Sequence, residues 1–292
     1  VSNPEFLREG SAIEDFRRPD RVVVGCDSER AREVLTEIYR PLYLNETPIL
    51  FTSRESSELI KYAANAFLAT KITFINEMAN ICEKVGADVQ DVARGMGLDG
   101  RIGNKFLHAG PGFGGSCFPK DTLALLKTSQ DVGATTRIVE AVVAVNDRRK
   151  IDMAEKVEAA FGSVAGKTIA VLGLTFKPNT DDMRDAPSLV IVPYLQGKGA
   201  RIRAYDPEGA EEARKLLQIE TCASAYETLK DADGMLILTE WNEFRALDLQ
   251  RVKALLKTPL MIDLRNIYRA DQMAEAGFDY VSVGRKTKSA HR

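Results

Sequence analysis

The chain has 292 residues, of which 45% are hydrophobic and 28% charged, and its formal net charge is -2. This length allows more than one folded domain, and the composition is that of an ordinary globular protein. The balanced charge argues against nucleic-acid binding, no stretch is apolar enough for a membrane span, and the first residues lack a signal-peptide pattern. We therefore expect a cytoplasmic protein with no nucleic-acid or membrane partner.

The chain opens with the pattern of a strand–helix–strand unit. Asn3 to Gly10 predicts a short helix, with Asn3 as its N-cap. Further on, RVVVG at 21–25 and PILFTS at 48–53 predict two strands on either side of a helix. Two strands are too few for a doubly wound domain, so residues 1–53 are interpreted as the C-terminal remnant of a Rossmann-like domain.

The middle third of the chain is predicted to be mainly helical. Apolar residues recur at spacings of three, four and seven over 55–85, with no proline or glycine before Gly86. At 1.5 Å per residue this helix would span roughly 45 Å, enough to join two domains or to carry a dimer interface. More helices are predicted around a glycine-rich segment at 110–115, and we assign 54–150 to a central helical domain.

The last part alternates strands with helices. KTIAVLGLTF, ARIRAYDPEG, GMLILTEW and LMIDLRN predict buried strands, and APSLVIVPYLQGKG predicts a helix. Such alternation is typical of a parallel sheet that binds ligands at the carboxyl ends of its strands. The fold class is therefore α/β: Rossmann-like domains joined by a long central helix and a helical middle domain, with 151–292 as the C-terminal Rossmann-like domain.

The four cysteines argue against a structural metal or a disulfide framework. Cys26, Cys82, Cys117 and Cys222 are far apart and form no CxxC pair, and the chain has only two histidines. No metal is expected.

Cys117 stands out because of its neighbours, GFGGSCFPKD at 112–121. A free cysteine is ordinarily a small buried apolar residue. Clustered glycines, however, indicate a close backbone approach or positive φ, and Lys120 nearby favours the thiolate that makes a cysteine nucleophilic. The residues alone leave both interpretations open.

Two further pairs have ordinary interpretations as well. Lys61 and Asn65 are four residues apart on the long helix and share a face, yet a lysine on a helix is usually solvated. Glu5 and Glu9 are also four apart, and acidic residues in a helix's first turn commonly interact with the helix dipole.

Four segments in fixed order add a specific resemblance. They are PEFLREGSA (4–12), ELIKYAANAFLATKITFINE (58–77), RIGNKFLHAGPGFGGSCFPKD (101–121) and GLTFKPNTDDMRDAPS (173–188). Together they closely resemble the UDP-glucose/GDP-mannose dehydrogenase family. Four ordered motifs over most of the chain are far more specific than a single glycine pattern.

The resemblance implies an enzyme that oxidises the C6 alcohol of a nucleotide sugar twice, to the carboxylate, and reduces two NAD. In the family, the cysteine of the GGSC motif attacks the C6 aldehyde, and the thiohemiacetal loses hydride to become a thioester that water hydrolyses. Cys117 matches that nucleophile. The residues FGGSCFPKD and AANAFLATKI within these motifs favour UDP-glucose as the substrate.

The other catalytic roles are also implied by the resemblance. Lys61 and Asn65 match the helix pair that stabilises negative charge on the C6 oxygen. Glu5 matches a general acid or base in thioester hydrolysis, and Asp121 a carboxylate that helps to activate water.

The binding residues follow in the same way. Arg101 matches an arginine that reaches a neighbouring subunit's substrate, which implies a homo-oligomer, at least a dimer through the long central helix. The remaining positions matched to UDP-sugar binding are Phe6, Leu7, Phe106, His108, Gly110, Gly112, Phe113, Gly114, Phe176, Lys177 and Arg265. Those matched to NAD binding are Glu9, Lys120 and Arg184.

The chain departs from the family pattern in one respect. Members open with a strand and a GxGxxG turn that holds the dinucleotide pyrophosphate, and no such opening occurs in this sequence. The expectation is that the chain is a fragment that does not hold NAD productively and is inactive alone.

Three alternatives stay open. GDP-mannose and UDP-N-acetylhexosamine dehydrogenases share the fold and the cysteine. A cysteine hydrolase or acyltransferase would use Cys117 with His108 as its base. A non-catalytic nucleotide-sugar-binding or dimerisation module would bind without turnover.

Overall fold

A computed structural model describes residues 1–45 and 47–287, so the end of the predicted C-terminal domain, 288–292, lies outside the described residues. The chain divides into two compact units. The first comprises Val1–Phe67 and Asp121–Thr135, and the second comprises Leu68–Lys120 and Thr136–Arg292. The three-domain division expected from the sequence stays a prediction.

The first unit contains the predicted strand–helix–strand arrangement, which is confirmed. Strands β1 (Val22–Gly25) and β2 (Ile49–Thr52) pair in parallel, and helix α2 (Glu29–Tyr39) connects them, followed by a 3₁₀ turn at Arg40–Asn45. Helix α2 begins where Ser28 acts as its N-cap and accepts a hydrogen bond from the Ala31 N–H. Strand β1 is buried along its whole length.

The helix predicted from Asn3 to Gly10 is wrong. The first helix, α1, spans Ala12–Arg17. Instead of capping a helix, the Asn3 amide donates to the Val23 carbonyl at 2.7 Å, and Ser2 exchanges two backbone hydrogen bonds with Gly25. These pairings with β1 hold the segment extended, because each buried backbone group of the strand needs a partner.

The long central helix is confirmed as α3, and the other helices predicted in the middle of the chain are present too. Helix α3 is uninterrupted over 32 residues. Its apolar stripe does not coincide with its buried face, since Phe74, Ile81 and Val85 are 43%, 52% and 71% exposed. The helices of this region are α3 (Arg54–Val85), α4 (Val89–Gly97), α5 (Cys117–Asp131) and α6 (Arg137–Phe161).

The second unit contains a six-stranded parallel sheet. Its strands are β3 (Thr168–Leu172), β4 (Arg201–Tyr205), β5 (Glu220–Thr221), β6 (Gly234–Ile237), β7 (Leu260–Asp263) and β8 (Asp279–Ser282). The order is β5-β4-β3-β6-β7-β8, which, counted from β3, is the 3-2-1-4-5-6 order of a doubly wound fold. The strand order reverses between β3 and β6, and ligands bind at such a switch point, beyond the carboxyl ends of the strands.

Both faces of this sheet are covered. Along β3, Ile169 and Val171 pack in one apolar cluster, whereas Ala170 and Leu172 pack in another. Side chains alternate along a strand, so the two clusters lie on opposite faces, as a parallel sheet requires. The helices of this region are α7 (Ser188–Gly197), α8 (Ala210–Leu216), α9 (Ala225–Leu229), α10 (Asn242–Arg245), α11 (Leu249–Leu255) and α12 (Ala270–Glu275).

The described part of the chain holds neither a membrane-spanning helix nor a cluster of metal-ligating side chains. No helix within 1–45 and 47–287 combines the length and apolar character needed to cross a bilayer. Nor do these residues bring together three or more His, Cys, Asp or Glu side chains in a way that would hold a metal ion.

Candidate active site

Cys117 is the first residue of α5 rather than part of a loop. Phe118 and Pro119 therefore lie in the first helical turn, where proline is tolerated because its missing N–H has no helical partner to lose. The half-buried thiol lies 3.6 Å from Ser116 Oγ. The partial positive charge of a helix N-terminus stabilises negative charge developing beside it.

The glycines before Cys117 allow the main chain of their loop to pack closely against other segments of the protein. A Cβ on Gly115 (φ +80°) would lie 2.6 Å from the Phe176 ring, and one on Gly112 (φ +108°) 2.9 Å from Asn146 Oδ1. A Cβ on Gly114 would collide with the carbonyl group of Asp185. At these positions the missing side chain faces protein, which is a different reason for glycine from the ligand approach that their clustering suggested.

Aromatic rings surround the same loop. Phe113 is buried, and its ring meets that of Phe118 edge-on at 5.9 Å. Phe106, which has a φ of +64°, meets Phe118 at 6.0 Å. These contacts fix the side of α5 on which the loop lies.

In the first unit, the structure brings Glu5 and Lys61 together. The Lys61 ammonium donates to the Glu5 main-chain oxygen at 2.6 Å and to its carboxylate at 3.1 Å. The side chain of Lys61 is only 14% exposed, so it is not the solvated lysine that a helix surface usually carries. The Arg21 guanidinium and the Lys61 ammonium lie 3.9 and 5.5 Å from the centre of the Phe6 ring. The Leu7 N–H donates to the Glu5 carboxylate.

Asn65 and Asp121 also meet in the first unit. The Asn65 amide donates to the Asp121 carboxylate at 2.5 Å, and both residues are buried. A buried carboxylate needs such donors because its desolvation is costly. Sequence matching placed these two residues in separate roles, and their direct contact is a finding of the structure.

In the second unit, Arg265 lies just beyond β7, at the carboxyl edge of the sheet. Its guanidinium donates to the carbonyls of Leu238 and Phe176 at 2.6 and 3.0 Å and lies 3.1 Å from the Glu240 carboxylate. Lys177 follows β3 with its ammonium 5.2 Å from the Phe176 ring. Two cations beside the switch point between β3 and β6 suit a diphosphate.

A cavity of about 300 Å³ opens next to Arg265. This volume is at the lower end of the range for small-molecule sites. His108 and Arg265, both matched to substrate binding, contribute to its wall. The lining residues are Val89, Gln90, Ala93, Arg94, Asn104, Leu107, His108, Ala109, Arg265 and Asn266.

Two buried carboxylates that sequence matching missed hold the loops of this edge. Asp206, directly after β4, accepts hydrogen bonds from the N–H groups of Leu174 and Thr175 at 2.7 and 3.1 Å. Asp263, at the end of β7, accepts from the Arg265 N–H and the Tyr280 hydroxyl, and burial raises its pKa. The sequence signal that could have identified them is an acidic residue at the end of a buried strand or directly after it.

Arg101 is placed differently from the other predicted binding residues. Its side chain is 90% exposed and forms an ion pair with Asp99 at 2.6 Å. The hydrogen bonds from Arg101 lower the pKa of Asp99. An arginine projecting into solvent is compatible with a role at another molecule's surface.

The residues matched to NAD fit its chemistry. Arg184 is largely exposed while paired with Asp182 at 2.8 Å, Lys120 is exposed, and Glu9 is half-buried. Cations suit the pyrophosphate of a dinucleotide and a carboxylate suits its ribose hydroxyls. Residues 110–115 spell GxGxxG, but within the described residues they follow helix α4 and a loop, not the strand that a dinucleotide fingerprint requires.

Comparison with known proteins gives a consistent result. Three domains of the UDP-glucose/GDP-mannose dehydrogenase family match the chain: the NAD binding domain over 1–43, the central domain over 55–148 and the UDP binding domain over 170–270. The chain is 67% identical to the UDP-glucose 6-dehydrogenase of Rhizobium meliloti (strain 1021) and 49% identical to that of Rickettsia bellii (strain RML369-C), in each case over 98% of its own length. It covers 66% and 67% of these two proteins, about two thirds of their length.

Solved structures agree with this. A UDP-glucose dehydrogenase from the hyperthermophilic archaeon Pyrobaculum islandicum matches with a TM-score of 0.85 and 38% identity, over 93% of this chain and 61% of that one. The fold, the ordered motifs and the close relatives lead to one conclusion: the chain belongs to the UDP-glucose/GDP-mannose dehydrogenase family.

Proposed function

We propose that this protein oxidises UDP-glucose at C6 to UDP-glucuronate, with Cys117 as the nucleophile. The observation that carries the proposal is the half-buried thiol at the first residue of α5. The loop directly before it contains glycines that pack tightly against other parts of the protein. The names of the two relatives from Rhizobium meliloti and Rickettsia bellii support UDP-glucose as the substrate.

The proposed covalent chemistry begins once the alcohol has become the aldehyde. The Cys117 sulfur adds to the C6 carbon, and the carbonyl oxygen becomes the oxyanion of a thiohemiacetal. Bound NAD supplies the hydride acceptor for each oxidation. Loss of hydride from C6 leaves a thioester, and attack of water breaks its C–S bond, which releases the carboxylate and restores the thiol.

The buried polar residues of the first unit suit the supporting roles. We propose that Lys61 and Asn65 stabilise the C6 oxyanion, since ordered donors out of bulk water do so best. Glu5 accepts and returns protons in thioester hydrolysis, and Asp121 orients the attacking water. The contacts of Lys61 with Glu5 and of Asn65 with Asp121 link each oxyanion donor to a carboxylate.

The nucleotide is assigned to the second unit. Phe176, Lys177 and Arg265 hold the diphosphate and nucleoside, and the backbone from His108 to Gly114, with Phe106, holds the sugar. We assign NAD to Glu9, Lys120 and Arg184. A cytoplasmic location stays a prediction.

Calorimetric titration of UDP-glucose into the chain, with GDP-mannose as the control, tests the substrate assignment. We expect binding of UDP-glucose at least about tenfold tighter, a difference of about 1.4 kcal/mol. Equal affinities, or preference for GDP-mannose, would favour another member of the family. An NADH assay on the same sample checks the expectation that the chain is inactive alone, and sustained turnover would contradict that expectation.

Substitution of His108 and a test for covalent reaction at Cys117 separate the remaining alternatives. The thiol is hydrogen-bonded to Ser116, while His108 lines the cavity beside Arg265. A cysteine hydrolase would lose all activity on substitution of His108, whereas the proposed oxidation would lose mainly affinity for its substrate, UDP-glucose. Nucleotide-sugar binding with no covalent reaction at Cys117 would favour the non-catalytic module.

We further propose that α3 carries a homodimer interface. Phe74, Ile81 and Val85 form an exposed apolar stripe at spacings of seven and four, and contiguous apolar surface of this kind marks protein contacts. Arg101, exposed on the same unit, would then reach the neighbouring subunit's substrate.

A charge on this stripe is expected to break the dimer. Phe74→Lys combined with Ile81→Lys places two ammonium groups where an apolar interface would form, and burying unpaired charge is costly. Sedimentation should show a dimer for the parent and a monomer for this variant. Ile138→Lys, which changes a more exposed apolar residue of α6, should stay dimeric. A variant as dimeric as the parent would place the interface elsewhere.

A further inference from the structure

The loop that leads to Cys117 is held by buried polar side chains, of which Asn146 and Arg149 lie outside the four motifs. Asn146, in the interior of α6, makes two hydrogen bonds to the main chain of Phe113. Its Oδ1 accepts from the Phe113 N–H at 2.8 Å, and its Nδ2 donates to the Phe113 carbonyl at 3.1 Å. This pairing fixes the peptide groups on both sides of Phe113.

Gly110, at the other end of the loop, is held in the same manner. Its N–H donates to Asn76 Oδ1 of α3 at 2.8 Å, and its carbonyl accepts from Arg149 Nε of α6 at 3.0 Å. Arg149 also donates to Asn80 Oδ1. The guanidinium is so thoroughly desolvated that burial lowers the pKa of Arg149 to about 10.

A third residue of α6, Lys150, supports the main chain at Asp185, against which the loop packs. Lys150 donates to the Asp185 carbonyl at 3.2 Å, the carbonyl that a Cβ on Gly114 would strike. Burial lowers the pKa of Lys150 as well. Residues 146, 149 and 150 share one face of α6 by their helical spacing.

This face of α6 is costly to build. Asparagine is a poor helix former, and a buried amide or guanidinium is stable only with hydrogen bonds. An apolar residue at 146 would suit the helix better, but it would leave both backbone groups of Phe113 without their partner. The polar face therefore stabilises the main chain of the loop and not the helix itself.

We propose that Asn146 and Arg149 are positioning residues, which hold the main chain of 110–115 so that Cys117 enters α5 at the place where it meets the sugar. This inference rests on the proposed function of Cys117. It assigns these two residues no contact with the substrate.

Ligand protection of Cys117 tests the assignment. The chain is treated with iodoacetamide with and without saturating UDP-glucose, and mass spectrometry follows the alkylation of Cys117, with the half-buried Cys222 as an internal reference. In the parent, we expect UDP-glucose to slow alkylation of Cys117 about tenfold, and Asn146→Ala to reduce this protection to about twofold, a fivefold change equivalent to about 1 kcal/mol.

Two variants make the result specific. In Asn146→Asp the carboxylate still accepts from the Phe113 N–H but cannot donate to the carbonyl, so protection should be intermediate. In Asp147→Asn, which changes the next residue on the exposed side of α6, UDP-glucose should protect Cys117 as well as it does in the parent. Affinity for UDP, which lacks the sugar, should stay within about threefold in each variant, a change of less than about 1 kcal/mol.

The outcomes that overturn the inference are distinct. Full protection in Asn146→Ala, with alkylation of Cys222 unchanged, would show that the loop needs no such support. If Asn146→Ala exposes Cys222 as well, the variant has lost its fold, and parent-like protection in Asn146→Asp then overturns the inference. Absence of protection in the parent would instead remove the proposed function, and the inference with it.

Discussion

Serine in place of Cys117 is expected to abolish any NAD reduction that the parent supports with UDP-glucose, while leaving the binding of UDP-glucose within about threefold of the parent. A hydroxyl of the same shape keeps the start of α5 but is a far weaker nucleophile than a thiolate. Loss of a nucleophile typically costs at least about a thousandfold in rate. NADH formation, measured beside a calorimetric titration, separates the loss of chemistry from a loss of binding.

A second measurement examines Cys117 without any hydride transfer. The 6-aldehyde of UDP-glucose should bind the parent at least about tenfold more tightly than UDP-glucose, a gain of about 1.4 kcal/mol, because the C6 carbon forms a bond to sulfur. Cys117→Ser should lose this gain, and Cys222→Ser should keep it. If Cys117→Ser binds the aldehyde as tightly as the parent, Cys117 is not the nucleophile.

Alanine in place of Gly114 is expected to destabilise the second unit strongly. Its Cβ would lie 2.8 Å from the Asp185 carbonyl carbon and closer still to the oxygen, and both contacts are with main chain, which cannot move aside as a flexible side chain can. Relief would require moving the loop or the segment that Lys150 supports at Asp185. The cost should be about 3 kcal/mol, the upper end of what overpacking usually causes.

Urea denaturation measures this cost as a lower transition midpoint at an unchanged slope. Gly95→Ala is the matched control, because Gly95 lies in α4 with no atom within 4 Å of a Cβ. There the substitution should be neutral or stabilising by up to about 1 kcal/mol, since alanine favours the helix and restricts the unfolded chain. A parent-like midpoint for Gly114→Ala would mean that the loop is looser than its contacts indicate.

Much of the local structure follows from patterns in single segments. The strand–helix–strand opening, the long α3, and strands β3, β4, β6 and β7 were all predictable, because hydrophobic periodicity and the absence of Gly or Pro act within a segment. Strands β5 and β8 were not predicted. Strand β5 is only two residues long, so pairing with a neighbour in the sheet defines it rather than its own composition. Strand β8 is as long as β6 and β7, but two of its four residues, Asp279 and Ser282, are polar, so it lacks their apolar run.

The site shows the same division. The motif order was enough to select Cys117, Lys61, Asn65 and Asp121 as candidates, but periodicity assigned Lys61 to solvent and Asn3 to a helix cap. In the structure Lys61 is paired with Glu5, and Asn3 is bonded to β1. Each of these partners is distant in sequence, so no local signal could have revealed the contact.

The sequence by itself determined the fold class, the family and Cys117 as the candidate nucleophile, since these follow from local periodicity and from motifs in fixed order. Only the tertiary structure decided which way the glycines face, which carboxylate each donor contacts, and that Asn146 and Arg149 of α6 hold the loop before Cys117. The physical reason is that burial and hydrogen-bond partners depend on segments brought together from distant parts of the chain, where the cost of an unpaired buried polar group selects the partners.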